Sequence, residues 1–319
     1  MGFPDSIHQQ CIEARNVGCW FDHSNWGLIE VSGKDRLSFL HNVLTNDIKS
    51  LKPGSRTEAC LLTAQATIVA VLNILCCDDF VWLLCDPKVK DRLQKALEKL
   101  IIMEQVSLKD RTHEFQLISV HGPQANELIS SISNQAPPEK IFRVNLIGEK
   151  GYGILFSTKD SASFKETIAE EAGYHEMIEV KEEAMEIMRI SAAIPKYGID
   201  YDETNIPLEC RLEHTISFTK GCFPGQEIIA RLMARGGVSK KLSGMVLKGE
   251  ATPNRKDRLW DQTIEAGFVT SATYDPILKK TIALGYLKKG SWSSGHLITV
   301  ETEVGRLPAR VEDLPFYSQ

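Results

Sequence analysis

The residues of this chain best equipped for chemistry stand together in Lys220-Gly221-Cys222-Phe223-Pro224-Gly225-Gln226-Glu227. Cys222 is the candidate nucleophile. The stretch after it patterns as a helix: Pro224 suits the first helical position, Glu227 the first turn, and Ile228, Ile229, Leu232 and Met233 an apolar face, with Gly236-Gly237 as the stop. A thiol near a helix N-terminus meets the positive end of the helix dipole, and Lys220 adds a cation, so Cys222 is expected to be more acidic than a free cysteine. Gly221 and Gly225 let the backbone turn sharply and admit a ligand closely. Gln226 offers both a donor and an acceptor. On local chemistry alone, a capped helix start with an incidental cysteine accounts for these residues equally well.

Two further groups flank this one. Upstream, Pro195-Lys196-Tyr197-Gly198-Ile199-Asp200 and Ile206-Pro207-Leu208-Glu209 follow a helix that closes at Arg189–Ala193. Tyr197 offers a stacking face, and Glu209 suits the donor-rich edge of a heterocycle. Turns carrying solvated charges are the alternative. Downstream, Arg231, Arg235, Lys240 and Lys241 form a cationic run, with 231 and 235 on one helical face. Such a rim suits a polyanionic ligand tail or an RNA phosphate, or is simply a solvated face.

The elements that must hold these groups are of two kinds. Gly27–Val31 reads as a strand, followed by Ser32-Gly33 and a helix with Leu37, Leu40, Val43 and Leu44 on one face. The same plan recurs as a strand over Phe115–Val120, a turn at His121-Gly122-Pro123 and a helix over Gln124–Ile132. Between them lie strands at Ala59–Leu62, Ile68–Cys76 and Phe80–Cys85, and a helix over Pro87–Met103 with Asp86 as N-cap. Residues 133–140 read as a loop, Ile141–Ile147 and Tyr152–Phe156 as strands, and Ser161–Ala172 and Val180–Ala192 as helices. From Leu242 helical periodicity gives way to short alternating segments at Leu242–Leu247, Ile264–Val269, Thr281–Tyr286, Leu297–Val300 and Pro308–Val311. This predicts two related α+β halves, split near 110–115, then an all-β module beyond a boundary near Gly236–Lys241.

Composition narrows the partners. The chain has 319 residues, enough for two or three domains, and a net charge of -5, which argues against a globally basic nucleic-acid binder and against direct DNA binding. No apolar run approaches the roughly 18 to 20 residues of a membrane span. The N-terminus shows no secretory signal, and Gly2 with Ser6 fits the myristoylation pattern only in its loosest form. None of the eight cysteines forms a C-x-x-C pair, and H-E-x-x-H and EF-hand spacings are missing, so no intrinsic metal is expected. Cys60, Cys76, Cys77 and Cys85 sit in apolar surroundings and read as small hydrophobes. Free thiols in a reducing compartment are the expectation: cytoplasmic, or an organelle matrix after loss of a transit peptide.

Taken together, Lys220–Glu227 matches K-G-C-[FY]-x-G-Q-E, and Arg189-Ile190, Ala192, Ile194-Pro195, Tyr197-Gly198, Asp200, Pro207 and Glu209 match the pattern that precedes it. The chain thereby resembles the YgfZ-type folate-binding proteins, relatives of the glycine-cleavage T-protein (aminomethyltransferase). Gly33–Leu40 with Thr45-Asn46-Asp47, Gly267–Ser271, Ala283–Tyr286 and Leu314-Pro315-Phe316 extend the resemblance over the whole chain. It implies an α+β fold of two ferredoxin-like lobes in residues 1–240 and a β-barrel in 241–319, around a central opening that binds tetrahydrofolate. It implies a role in assembly or repair of iron–sulfur enzymes, including tRNA-thiolating ones. Cys222 and Lys220 would then be the reactive pair. Tyr197 and Glu209 would hold the pterin with Gly221, Gln226 and Glu227 nearby, and Arg231 or Arg235 would face the glutamate tail.

The departures bear on the reaction. T-proteins carry an aspartate that assists methylene transfer, and the segment Leu62–Val71 puts Val71 at or near it. Ser191 and Ala193 replace a glutamate and a glycine, and Arg211 a small residue. Aminomethyl transfer to tetrahydrofolate and a non-catalytic module that has lost its ligand are the rival readings.

Overall fold

The structure is a computed structural model and describes residues 5–23, 26–133, 141–249, 251–303 and 305–317. The loop expected over 133–140 lies, Ser133 apart, outside them, as does Gly2. The chain opens with α1 (Asp5–Asn16) and β1 (Cys19–Asp22), which the sequence patterns did not reveal.

The first lobe runs β2 (Gly27–Ser32), α2 (Arg36–Val43), β3 (Arg56–Leu62), β4 (Ile68–Cys76), β5 (Phe80–Cys85), α3 (Lys90–Leu100) and β6 (Ser107–Asp110). Its strands lie in the order β3-β4-β5-β2-β6. Alternation explains the layering. Ala70, Leu72 and Ile74 of β4 join Ile29, Val31 and Leu83 beneath Phe39, Leu40 and Val43 of α2 and Leu93 and Leu97 of α3. Asp86 accepts from the Lys88 N–H as a cap should, but the first turn, Pro87–Val89, is 3-10, and α3 ends at Leu100, short of the expected Met103. Ile102 and Met103 are left exposed.

The second lobe runs β7 (Phe115–His121), α4 (Ala125–Ile132), β8 (Ile141–Val144), β9 (Gly151–Ser157), α5 (Ser161–Tyr174) and β10 (Ile178–Glu179). Its order is β10-β1-β7-β9-β8. β1 is inserted parallel to β10 and antiparallel to β7. With β3 and β1 set aside, both sheets have the same ferredoxin-like order, so the repeat read from the sequence is a true structural one. The faces turned away from the helices meet each other: Leu28, Trp82 and Leu84 pack on Leu117, Phe142 and Leu155, with the Trp82 and Phe115 rings 5.0 Å apart.

After α6 (Glu182–Ser191) comes a largely irregular segment, 192–225, and then α7 (Gln226–Ala234). The last module is a closed barrel of β11 (Lys240–Leu247), β12 (Arg258–Asp261), β13 (Ile264–Asp275), β14 (Lys280–Lys288), β15 (Leu297–Thr302) and β16 (Gly305–Glu312), ordered β11-β14-β13-β12-β15-β16. Closure removes the edges that an open sheet would expose. β12 was not anticipated, and β13 continues past the expected Val269 because an irregularity between Val269 and Ser271 lets the strand carry on in a shifted register. No helix of the described residues is long and apolar enough to cross a membrane.

One core joins the parts. Cys60, Leu62 and Ile68 of the first lobe, Tyr201, Leu208 and Cys210 of the irregular segment, Phe223 and Ile229 around α7, and Leu242, Leu284 and Tyr286 of the barrel form a single buried cluster.

Candidate functional site

The irregular segment is held by a buried ion pair. Arg189, on the buried face of α6, donates to Asp200 at 2.6 Å, to the Ser271 hydroxyl at 2.8 Å and to the Ile194 carbonyl at 3.1 Å, and pairs with Glu186. Asp200 also accepts from Thr270 at 2.6 Å, Ser271 at 2.7 Å and the Lys196 N–H at 3.0 Å. A buried pair is tolerable when its remaining donors and lone pairs are satisfied, as here. The Arg189…Asp200 pattern therefore clamps α6 and the Tyr197–Asp200 turn to β13.

The two departures beside it are accommodated structurally. Ala193 takes the left-handed conformation, φ 57°, that a glycine would adopt without strain. Ser191 is buried and donates to Asp275, with the Ile187 carbonyl also within reach of its hydroxyl, which ties α6 to the barrel rather than facing a ligand. Arg211 is likewise left-handed, at φ 62°, and reaches the Leu314 carbonyl at 3.3 Å.

Tyr197 and Glu209 stand on the junction core. The Tyr197 hydroxyl donates to Glu203 at 3.0 Å, Arg92 lies over its ring at 5.5 Å, and Tyr201 meets it edge-on. Much of the ring is thus engaged within the protein. Glu209 is different. Its side chain is 13% exposed; one oxygen accepts from Asn205 at 3.1 Å and lies 3.7 Å from Lys240. The other accepts no hydrogen bond among the described residues, which leaves an acceptor for a ligand N–H. Val71 also faces this junction, partly buried and opposite Cys60 in register, while its neighbours Ala70 and Leu72 face the first lobe's core.

The loop that carries Cys222 is docked at both ends. At its start, the Thr45-Asn46-Asp47 turn grips the incoming strand of chain. Thr45 donates from its hydroxyl to the Thr215 carbonyl at 2.7 Å, and its own carbonyl accepts from the Ser217 N–H at 2.9 Å. Asn46 donates to the Glu58 carbonyl at 2.8 Å. The sequence pattern marked this turn only by resemblance; its task is to seat the loop. Lys220 then donates to the carbonyls of His41 and Leu44, at the C-terminal end of α2, and lies over the Phe223 ring at 5.2 Å. Burial lowers its ammonium to about 8, against the opposing pull of the Asp47 and Cys222 charges. Lys220 is thus foremost an anchor between the loop and α2.

At the other end the expected helix start is corrected. α7 begins at Gln226, not Pro224, and Gly225 precedes it in the left-handed region at φ 81°. Cys222 therefore stands on the loop ahead of the first turn. The cause is tertiary: a β-carbon on Gly225 would meet the Ala66 Cα at 2.7 Å and the Thr63 carbonyl at 2.8 Å, in the turn between β3 and β4. Gly221, by contrast, has open space around it and no such requirement. Gln226 is partly buried, and Glu227 is exposed and pairs with Arg231 at 2.8 Å. Lys240 faces Glu209, and Lys241 pairs with Glu213 at 3.0 Å. Of the four expected rim cations, Arg235 alone has no acidic partner among the described residues.

Cys222 is exposed, and the other seven cysteines are buried. Burial pushes the thiols of Cys11, Cys60, Cys85 and Cys210 up to about 12. One accessible nucleophile thus lies at the rim of a junction that offers a carboxylate acceptor and apolar walls. Among the described residues no group of three or more His, Cys, Asp or Glu is placed to hold a metal.

Comparison with known proteins agrees with this architecture. Residues 2–220 match the GCVT N-terminal domain, and residues 240–318 the glycine cleavage T-protein C-terminal barrel domain. The chain is 27% identical to an aminomethyltransferase of Thermosipho melanesiensis, covering 98% of this chain and 89% of that protein. It is 25% identical to an aminomethyltransferase of Bacillus licheniformis, covering 98% and 91%. Its fold is that of the glycine cleavage system aminomethyltransferase T of Bartonella henselae, with a TM-score of 0.90 at 21% identity over 100% of this chain and 91% of that one.

Proposed function

The chain belongs to the glycine cleavage T-protein family, and we propose that it binds tetrahydrofolate, the substrate of that family, where the first lobe, the 192–225 segment and the barrel meet. The observation that carries this reading is Glu209. It is a largely buried carboxylate with one oxygen anchored and the other uncommitted, which suits the amine and ring N–H edge of a pterin. The apolar junction core supplies the walls that such a ring needs.

Two readings of the chemistry rest on different observations. The names of the relatives support aminomethyl transfer to tetrahydrofolate. The chain's own residues support a binding role with a working thiol, of the kind that serves assembly or repair of iron–sulfur enzymes. Val71 carries no group able to move a proton at a folate nitrogen, and Cys222 is the one exposed thiol. Calorimetry with tetrahydrofolate tests the shared premise: saturable heat that is lost in Glu209→Ala supports it, and the lack of any heat overturns it. An assay with an aminomethyl-lipoyl carrier then separates the readings. Robust formation of methylenetetrahydrofolate establishes transfer. Binding without turnover, together with failure of Cys222→Ala to complement a strain lacking its own homologue, supports the cluster role.

A further inference from the structure

A cavity of about 290 Å³ opens between the end of α1, the turn joining β13 to β14, and the C-terminal tail. Its apolar walls are Ile12, Pro276 and Ile277, with the Tyr317 ring alongside. Its polar lining among the described residues is Arg15, Asn16 and Lys279: two cations and one amide, without a carboxylate.

Arg15 is the unusual member. Its side chain is 4% exposed, yet among the described residues none of its three guanidinium nitrogens has a hydrogen-bond partner. The fully buried Glu149 faces it as an ion pair at 3.6 Å, longer than a hydrogen bond. The Tyr317 ring covers the guanidinium at 3.3 Å, a contact made with the face of the cation that leaves its in-plane N–H donors uncommitted. An arginine serving only as a structural partner to a carboxylate would form short, paired bonds, and leaving buried donors unmet is costly. The other nearby carboxylate, Asp275, is already taken by Ser191 and by the N–H groups of Ile277 and Leu278. Burial raises the Glu149 carboxyl, against the lowering pull of Tyr317 and of the Arg15 charge.

We propose that this cavity is a binding site for a small oxyanion, a carboxylate or a phosphate, in which Arg15 supplies the buried donors and Lys279 the charge at the mouth. Tyr317, stacked on Arg15, borders the same space and moves aside or packs against the ligand's apolar part. This site shares no residue with the proposed folate site, so either can fail alone.

The test is calorimetry on the full chain with inorganic phosphate and with acetate, against chloride at equal ionic strength. One saturable site is expected. Phosphate alone identifies a phosphate ester as the ligand class, and acetate alone a carboxylate. Lys279→Glu, an exposed change that leaves the fold intact, should weaken binding about fivefold or more. Arg15→Met should weaken it by at least about tenfold. No saturable binding of either anion overturns the proposal. So does unchanged affinity in Lys279→Glu, which decides the matter alone if Arg15→Met does not fold.

Discussion

Gly225 and Ala66 are in backbone contact. The Gly225 Cα lies so near the turn between β3 and β4 that an added β-carbon would stand 2.7 Å from the Ala66 Cα. The loop bearing Cys222 is thereby fixed to the first lobe at a position where only glycine fits in both space and conformation. Gly225→Ala should cost about 2–4 kcal/mol, from the left-handed backbone and the overpacking together. Urea unfolding measures the loss, and alkylation of Cys222 should quicken as the loop loosens.

Only one of the eight cysteines is exposed. Iodoacetamide should therefore add one label per native chain and eight per unfolded chain, as counted by intact mass. Cys222→Ser should abolish the native label and leave the denatured count at seven.

The Arg189–Asp200 pair is buried and fully bonded. Removing one partner strands the other charge. Arg189→Met should lower stability by about 3–5 kcal/mol. It should also loosen the Tyr197–Asp200 turn, which limited proteolysis would detect.

Acid should weaken the second lobe. Burial lowers His121 to about 3 and His23 to about 4, the latter against the pull of Asp22. Both stay neutral in the folded chain, whereas in the unfolded chain each protonates near 6.5. Below that value the unfolded state binds more protons, so stability is fully present above pH 6.5 and falls as pH drops towards 4. The slope is about 1.4 kcal/mol per pH unit for each histidine. Denaturant midpoints at pH 7.5, 6 and 5 should trace this fall, and His121→Gln should flatten it.

Much of the fold was legible in the chain itself. Continuous apolar runs at Ile68–Cys76 and Phe80–Cys85 marked buried strands, and the repeated strand–turn–helix plan at Gly27 and Phe115 marked two lobes with the same strand order. The short elements escaped. β1, β10 and β12 have 4, 2 and 4 residues, too few to show a period, and β1 finds its place only by pairing with strands far along the chain.

The site divides in the same way. The types and spacing of Lys220–Glu227 made Cys222 a candidate no better than an incidental cysteine at a helix start, and the match to K-G-C-[FY]-x-G-Q-E singled it out. What the neighbours do was decided elsewhere. Lys220 looked like a partner for the thiol, but its ammonium is held by carbonyls 179 and 176 residues away in sequence, at the end of α2. Pro224 looked like a helix start, but contact of Gly225 with the Thr63–Ala66 turn moved that start to Gln226. Residue type determines which groups are available for chemistry. Which of them remain free is set by long-range contacts that satisfy some donors and acceptors and leave others, such as the second oxygen of Glu209, uncommitted.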